Sequence, residues 1–166
     1  MTHPLQATLE NRDDTWVLTL TREIAHPVDV VWPWLTDPDR LRQWSPAVPD
    51  RAFDDVGPAE VRENPGDAPV DGTVLKVDQP HELVHRWGPD VLRWRLTATP
   101  TGCMLTLEHQ MADRAHTAEN AGGWHICLDV LTRHLDGLAA HRLVGEVVMN
   151  HGFGELRDGY RTLLGG

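Results

Sequence analysis

Between Leu105 and Gly137 the chain reads LTLEHQM (105–111), ADRAHTAENA (112–121) and GGWHICLDVLTRHLDG (122–137). The first piece alternates: Leu105, Leu107, His109 and Met111 share one parity, and Glu108 and Gln110 the other, which is the period of a strand with one buried face. The last piece changes period. Trp124, Leu128, Leu131, Leu135 and Leu138 recur at helical spacing, so a long amphipathic helix opens at Gly123. A half-buried strand followed by such a helix supplies both layers of a helix-on-sheet core.

Working upstream, Thr73–Asp78, Glu82–Trp87, Val91–Ala98 and Cys103–Met111 are strands. Gln79-Pro80, Gly88-Pro89-Asp90 and Pro100-Thr101-Gly102 carry the residue types that tight connections prefer, so the four form an antiparallel meander. TWVLTLTREI (15–24) alternates around Trp16, Leu18 and Leu20 and makes strand one. Val28, Val31, Trp32 and Leu35 then follow helical spacing. Pro33 lacks the donor for its i−4 carbonyl and keeps that helix short, irregular or bent. A second short helix follows, capped by Asp37 with Pro38 at its first position, contacting the core through Leu41 and Trp44 and stopped by Ser45-Pro46. Residues 45–72 are rich in Pro, Gly and Asp, with extended pieces near Arg51–Asp54 and Ala59–Arg62. Gly137, Gly145, Gly152 and Gly154 separate the long helix from a last short one whose Leu156, Tyr160 and Leu163 share a face. The fold class is α+β: a curved antiparallel sheet wrapped around a long C-terminal helix, with two short helices after strand one.

The chain has 166 residues, 15 Lys and Arg against 25 Asp and Glu, and a net charge of −10. One domain over 1–166 is expected, with 1–13 a loose lead. The negative balance repels phosphate backbones and anionic lipid, which argues against nucleic-acid and membrane-surface partners. MTHPLQATLENRDD lacks the basic start and apolar core of a secretory signal, and no run approaches the roughly 20 apolar residues of a membrane span, so a cytoplasmic location is expected. Cys103 and Cys127 lie within apolar patterns and read as small buried hydrophobes, with a disulfide or redox pair as the alternative. Asp13-Asp14 and Asp54-Asp55 read as solvated turns.

Three segments carry a resemblance: REIAHPVDVVWPWLTDPDRLRQW (22–44), GTVLKVDQPHELVHRWG (72–88), and LTLEHQM with GGWHICLDVLTRHLDG (105–137). In that order they resemble the SRPBCC superfamily, the START-like or Bet v 1-like proteins, and within it the Aha1-like branch, activator of Hsp90 ATPase homologue. The resemblance implies a helix-grip fold with a ligand cavity between the curved sheet and the C-terminal helix. Pro33 and the glycine-rich stretch Gly145–Gly154 depart from the family pattern and bear on how the cavity closes. In eukaryotic co-chaperones the domain accompanies a separate N-terminal domain, for which 166 residues leave no room, so the family name implies little about chaperone work.

Strand parity then sorts the wall. Leu75, Val77, Leu83, His85 and Trp87 face inward, as do Leu92, Trp94 and Leu96, then Leu105, Leu107, His109 and Met111. Lys76, Arg86, Arg93, Arg95, Glu108 and Gln110 make the opposite, solvated face. With Trp124, Leu128 and Leu131 from the helix, the inward set is the expected ligand wall, and each member is equally readable as packed core. Trp32, Trp34 and Trp44 read as seals at the sheet's open end, while Trp87, Trp94 and Trp124 surround one space. His85, His109 and Arg22 are the candidate catalytic groups; each histidine is otherwise a core imidazole with its hydrogen bonds met. The scattered histidines show no metal-ligand spacing, and no G-x-S-x-G, P-loop or G-x-G-x-x-G occurs, so neither metal nor cofactor is expected. The leading reading is binding of a small hydrophobic or aromatic ligand. A cyclase, dehydratase or hydrolase using the same cavity, in the manner of polyketide cyclases, and a chaperone-linked or regulatory interaction module are the alternatives. A homodimer is compatible with the sequence, although no residue pattern demands it.

Overall fold

The computed structural model describes residues 4–145 and 152–165. In chain order the elements are β1 (Ala7–Arg12), β2 (Thr15–Ile24), α1 (Val28–Thr36), α2 (Pro38–Leu41), β3 (Val48–Pro49), β4 (Glu60–Arg62), β5 (Val70–Asp71), β6 (Val74–Asp78), β7 (Glu82–Trp87), β8 (Asp90–Thr99), β9 (Gly102–Met111), α3 (Thr117–Leu135) and α4 (Phe153–Leu164). The large sheet runs β1-β2-β9-β8-β7-β6, antiparallel throughout, and β3-β4-β5 form a small second sheet. The α+β helix-grip arrangement is therefore present, with α3 packed on the inner face.

Within the expected lead, residues 7–12 form a strand. Ala7–Arg12 pairs with β2 through a two-residue turn in which Asp13 and Asp14 take φ 51 and 66°, the left-handed pair that favours Asp, Asn and Gly. Leu9 and Ala7 pack against the core from this added strand. In α1 the helix continues past Pro33, whose carbonyl accepts from the Asp37 N–H at 2.9 Å, and then ends at Thr36. Asp37 caps α2 by accepting from Asp39 N–H at 3.0 Å, as its sequence implies. Of the two extended pieces, only the second is a strand. Arg51–Asp54 instead belongs to a loop drawn around the Arg51 guanidinium, which donates to the carbonyls of Ala52, Asp55, Gly57 and Pro58.

Parity holds on the inner face except at one point. Val74 pairs with His85 but Lys76 pairs with Val84, so β6 carries an extra residue and Val74, not Leu75, enters the core. Leu75 is consequently 41% exposed. On the outer face Glu108 keeps its outward parity yet is only 5% exposed. Arg12 of β1 and Arg95 of β8 cover it, at 3.5 and 3.4 Å, and Arg95 also reaches Glu82 at 3.3 Å, so this face is an ion-pair ladder and not freely solvated at Glu108.

Helix α3 begins at Thr117, six residues before the glycine expected to open it, and Leu138 lies beyond its end, half exposed. Helix α4 buries Phe153 and Tyr160, while Leu163 is turned outward at 49% exposure, so the expected apolar face is rotated. A Cβ on Gly122 would stand 3.3 Å from Phe153 Cε2, which is how closely α4 approaches α3. Within the glycine-rich stretch, residues 146–151 lie outside the described residues.

The bulge separates two leucines of one expected wall. Leu83→Ala should destabilise the fold by about 2–5 kcal/mol, whereas Leu75→Ala should change it by less than about 0.5 kcal/mol. Urea unfolding of both variants checks this; equal losses would place Leu75 inside.

Candidate functional site

Trp94 on β8 lies beside His85 on β7, and its indole Nε1–H donates to His85 Nε2 at 3.1 Å. An indole nitrogen only donates, so His85 Nε2 is unprotonated and the proton sits on Nδ1, which donates to the Arg86 carbonyl at 3.0 Å. The same logic fixes His109. Trp124 Nε1–H on α3 donates to His109 Nδ1 at 3.1 Å, leaving His109 Nε2–H to donate to Asp90 Oδ2 at 2.7 Å. Both candidate bases are thus neutral, each in one tautomer, with the basic lone pair engaged by an indole. Burial without a charged partner pushes the His85 pKa down to about 4.

Aromatic rings fill the surrounding volume. Trp94 meets Trp44 at 5.8 Å and Trp124 at 5.5 Å, both edge-to-face, and Phe53 stacks on His85 at 4.4 Å. Leu83, Leu96, Leu105, Leu107, Leu128 and Leu131 are fully buried core, and Met111 is nearly so. Trp44, read as a seal, is a central member of this cluster, whereas Trp34 lies outside it, stacked on His134 at 5.4 Å.

The third candidate, Arg22, is elsewhere. It lies four residues along β2 from Leu18, which pairs with His109 in register. Its Nη1 donates to Asp129 Oδ1 at 2.7 Å, Asp129 Oδ2 lies 3.6 Å from His125 Nε2, and His125 Nδ1 meets the Tyr160 hydroxyl at 2.7 Å. Burial pulls the Arg22 guanidinium below the usual arginine range and pushes the Tyr160 hydroxyl up to about 12. This buried polar chain joins β2, α3 and α4 at the opposite end of the inner face, so the structure does not gather the three candidates into one site.

Open volume remains at the end where α3 carries Gly123. A recess of about 140 Å³ lies there, walled by Trp87 and Trp124, floored by Asn120, Gly123 and Cys127 of α3, and closed by Leu143, Val144 and Gly145. Glu63, Glu119 and Pro46 complete its rim. Of the expected ligand wall only Trp87 and Trp124 reach it; Val77 is half-buried away from it and Leu75 is outside. Asn120, Gly123, Trp124 and Cys127 follow i, i+3, i+4, i+7, so that stripe of α3 was available in the sequence. Glu119 lies in the first turn of the same helix, whereas Pro46 and Glu63 come from segments without a periodic signal. Arg142 holds the closing segment in place, donating to the carbonyls of Ser45 and Glu63 and to Asn64 Oδ1, and Cys127 Sγ–H meets the Leu143 carbonyl at 3.7 Å. Burial raises the Cys127 thiol to about 12, so it is no nucleophile near neutral pH. A larger cleft of about 390 Å³ opens beyond Glu63, between Arg42, Arg62 and Arg142 on one hand and Asp50 and Asp67 on the other. It has no aromatic wall, and its arginines are engaged with carbonyls and carboxylates.

With that geometry in hand, comparison with known families matches residues 25–136 to the family described as activator of Hsp90 ATPase homolog 1-like protein. The chain belongs to this family. The match starts after β2 and stops at the end of α3, so all of the β1–β2 hairpin and all of α4 flank the AHSA1-like segment. No match is found among curated protein sequences. Among solved structures, EF2215 of Enterococcus faecalis, a conserved protein of unknown function, superposes with a TM-score of 0.73 at 17% identity, covering 95% of this chain and 89% of its own. CalU16 of Micromonospora echinospora, in solution, gives 0.70 at 20% identity, with 95% and 92% covered. DynU16, a protein in the dynemicin biosynthetic locus, gives 0.64 at 27% identity over 75% of this chain and 48% of that one. Together with the family match, these likenesses show the SRPBCC-type fold for this AHSA1-like chain. Among its described residues no group of three or more His, Cys, Asp or Glu converges as a metal site, and no helix is long and apolar enough to cross a membrane.

His85 makes stability depend on pH. Its folded pKa lies below the unfolded 6.5, so its contribution is complete above pH 6.5 and is lost as pH falls toward about 4. The full change is roughly 3 kcal/mol. Urea unfolding between pH 4 and 7 should show this decline, and His85→Gln should flatten it; an unchanged slope would mean that His85 is not held neutral.

Proposed function

We propose that this AHSA1-like chain binds a small aromatic or otherwise apolar molecule, with one ring seated in the recess that the adjoining indoles of Trp87 and Trp124, 5.5 Å apart and edge-to-face, form with the Gly123 face of α3. The observation that carries this reading is Gly123. It lies mid-helix, where glycine costs about 1 kcal/mol relative to alanine, yet a Cβ built there meets no atom within 4 Å. Nothing in the protein requires the missing side chain; the space it leaves belongs to the recess. An apolar cavity of about 150 Å³ accepts one benzene ring, which is the scale of this one. Trp87, half buried, supplies most of the accessible indole surface beside the buried Trp124, and a few polar groups at the rim supply orientation.

The expected cavity of the wider superfamily, deep between sheet and helix, is occupied here by Trp44, Trp94, Phe53 and the leucine core. The bound group therefore enters from the Gly123 end. Binding is favoured over turnover because the histidines that would move protons already accept from indoles, and the Cys127 thiol is held protonated. The place of DynU16 in a biosynthetic locus supports a small molecule over a protein as the ligand.

Titration with phenol, read by tryptophan fluorescence, tests the site. The wild-type chain should show saturable quenching. Gly123→Ala should raise stability by about 1 kcal/mol while weakening binding, and Gly123→Leu should abolish binding with the fold retained by circular dichroism. Undiminished binding in Gly123→Leu would remove the recess as the site.

A further inference from the structure

The hydrogen-bonding groups around the recess are unbalanced, and the imbalance identifies the ligand class. Three lining side chains carry donors that are already committed. Trp124 Nε1–H goes to His109, Cys127 Sγ–H to the Leu143 carbonyl, and Asn120 Nδ2 to Met111 Sδ at 3.1 Å. The Trp87 indole N–H and the second N–H of the Asn120 amide are the lining side-chain donors without an acceptor among the described residues. The acceptors are left open. With its amide nitrogen on Met111, Asn120 presents Oδ1. Glu119 meets Arg161 through Oε1 at 3.2 Å, leaving Oε2. Glu63 forms no carboxylate ion pair among the described residues, and its Oε2 lies 3.4 Å from where a Gly145 Cβ would stand. The neighbouring cation, Arg142, lies near enough to feel the Glu63 charge but spends its donors on neutral oxygens, and no Lys or Arg lines the recess.

From this juxtaposition of two tryptophan walls, two rim carboxylates and no lining cation we infer that the recess takes an organic cation, an arylalkyl amine whose ring occupies the recess and whose ammonium lies toward Glu63 and Glu119. This rests on the ligand-binding reading above and narrows it. Indole is the strongest aromatic partner for a cation. An ammonium brings three donors to a rim of acceptors, whereas a carboxylate brings only acceptors and like charge.

Isothermal titration with three one-ring probes separates the possibilities: benzylamine, charged at pH 7, benzyl alcohol and benzoate. Benzylamine should bind about tenfold more tightly than benzyl alcohol, the scale of a partly desolvated cation–aromatic contact, and benzoate should not bind measurably. Glu63→Gln should reduce the amine's advantage to a few-fold or less, and Glu119→Gln should lower it independently. Glu155→Gln, an exposed carboxylate on α4, should leave it unchanged, which separates the local rim from the chain's overall negative field. Equal affinity for amine and alcohol, tighter benzoate, or an amine preference that survives Glu63→Gln and Glu119→Gln overturns the inference while the aromatic site stands. Binding of none of the three removes the site itself.

Discussion

Two indole-to-imidazole hydrogen bonds set the terms for the rest of the inner face. A buried indole N–H needs an acceptor, and leaving such a group unpaired costs on the order of 1–3 kcal/mol. Here each acceptor is a histidine nitrogen, which can serve only while the ring is neutral. The proton displaced to the other nitrogen then needs its own acceptor, and the chain provides the Arg86 carbonyl for one ring and the Asp90 carboxylate for the other. The Trp94–His85 bond ties β8 to β7. The Trp124–His109–Asp90 chain ties α3 to β9 and to the start of β8. The position of the long helix on the sheet is thereby fixed by directional bonds as well as by apolar packing.

That constraint decides where a ligand can go. With Trp44, Trp94 and Trp124 meeting edge-to-face, the centre of the inner face is closed. Space remains where α3 runs past the aromatic cluster, and there consecutive glycines do different things. Gly122 lets Phe153 of α4 come into contact, so its missing side chain is explained by packing. Gly123, one residue on and turned through about 100° by the helical twist, faces no protein atom. The pair shows how one dipeptide can serve the fold on one side and a binding surface on the other.

Much of this was legible in the sequence because it rests on local period. Four meander strands, β2, the Asp37 cap and the body of α3 follow from alternation, turn residues and helical spacing. The failures share a cause: each depends on a partner distant in the chain. Leu75 alternates correctly within VLKVD, and only the pairing of β6 with β7 reveals the extra residue. Glu108 sits on the outer parity, and only β1 brings Arg12 over it. The segment Ala7–Arg12 has one strong apolar residue, Leu9, and becomes a strand because β2 offers an edge. Likewise His85 and His109 were placed inward by parity, but their tautomers depend on Trp94 and Trp124. Glu63 and Leu143, which help make the recess, lie 61 and 19 residues from the nearer-placed Trp124.

The recess also has unequal walls, and this bears on selectivity. Trp124 is held by its bond to His109, which is itself held by Asp90, so it offers a fixed plane. Against its edge, at 5.5 Å between ring centres, packs Trp87, which also contacts the His109 ring at 5.7 Å; it is half buried, and its indole N–H bonds no described residue. The closing segment is fastened through one side chain, Arg142, to oxygens of the β4 side, and through one weak sulfur contact to α3. A ligand therefore meets two packed indoles on one side and, on the other, a segment whose Leu143 and Val144 also pack against the core. Discrimination between rings by shape is limited under those conditions, because a mismatch of one methylene in an apolar pocket is worth only about 1–3 kcal/mol. The chemistry of the rim acceptors, not the volume, is then the feature best able to distinguish one small aromatic molecule from another.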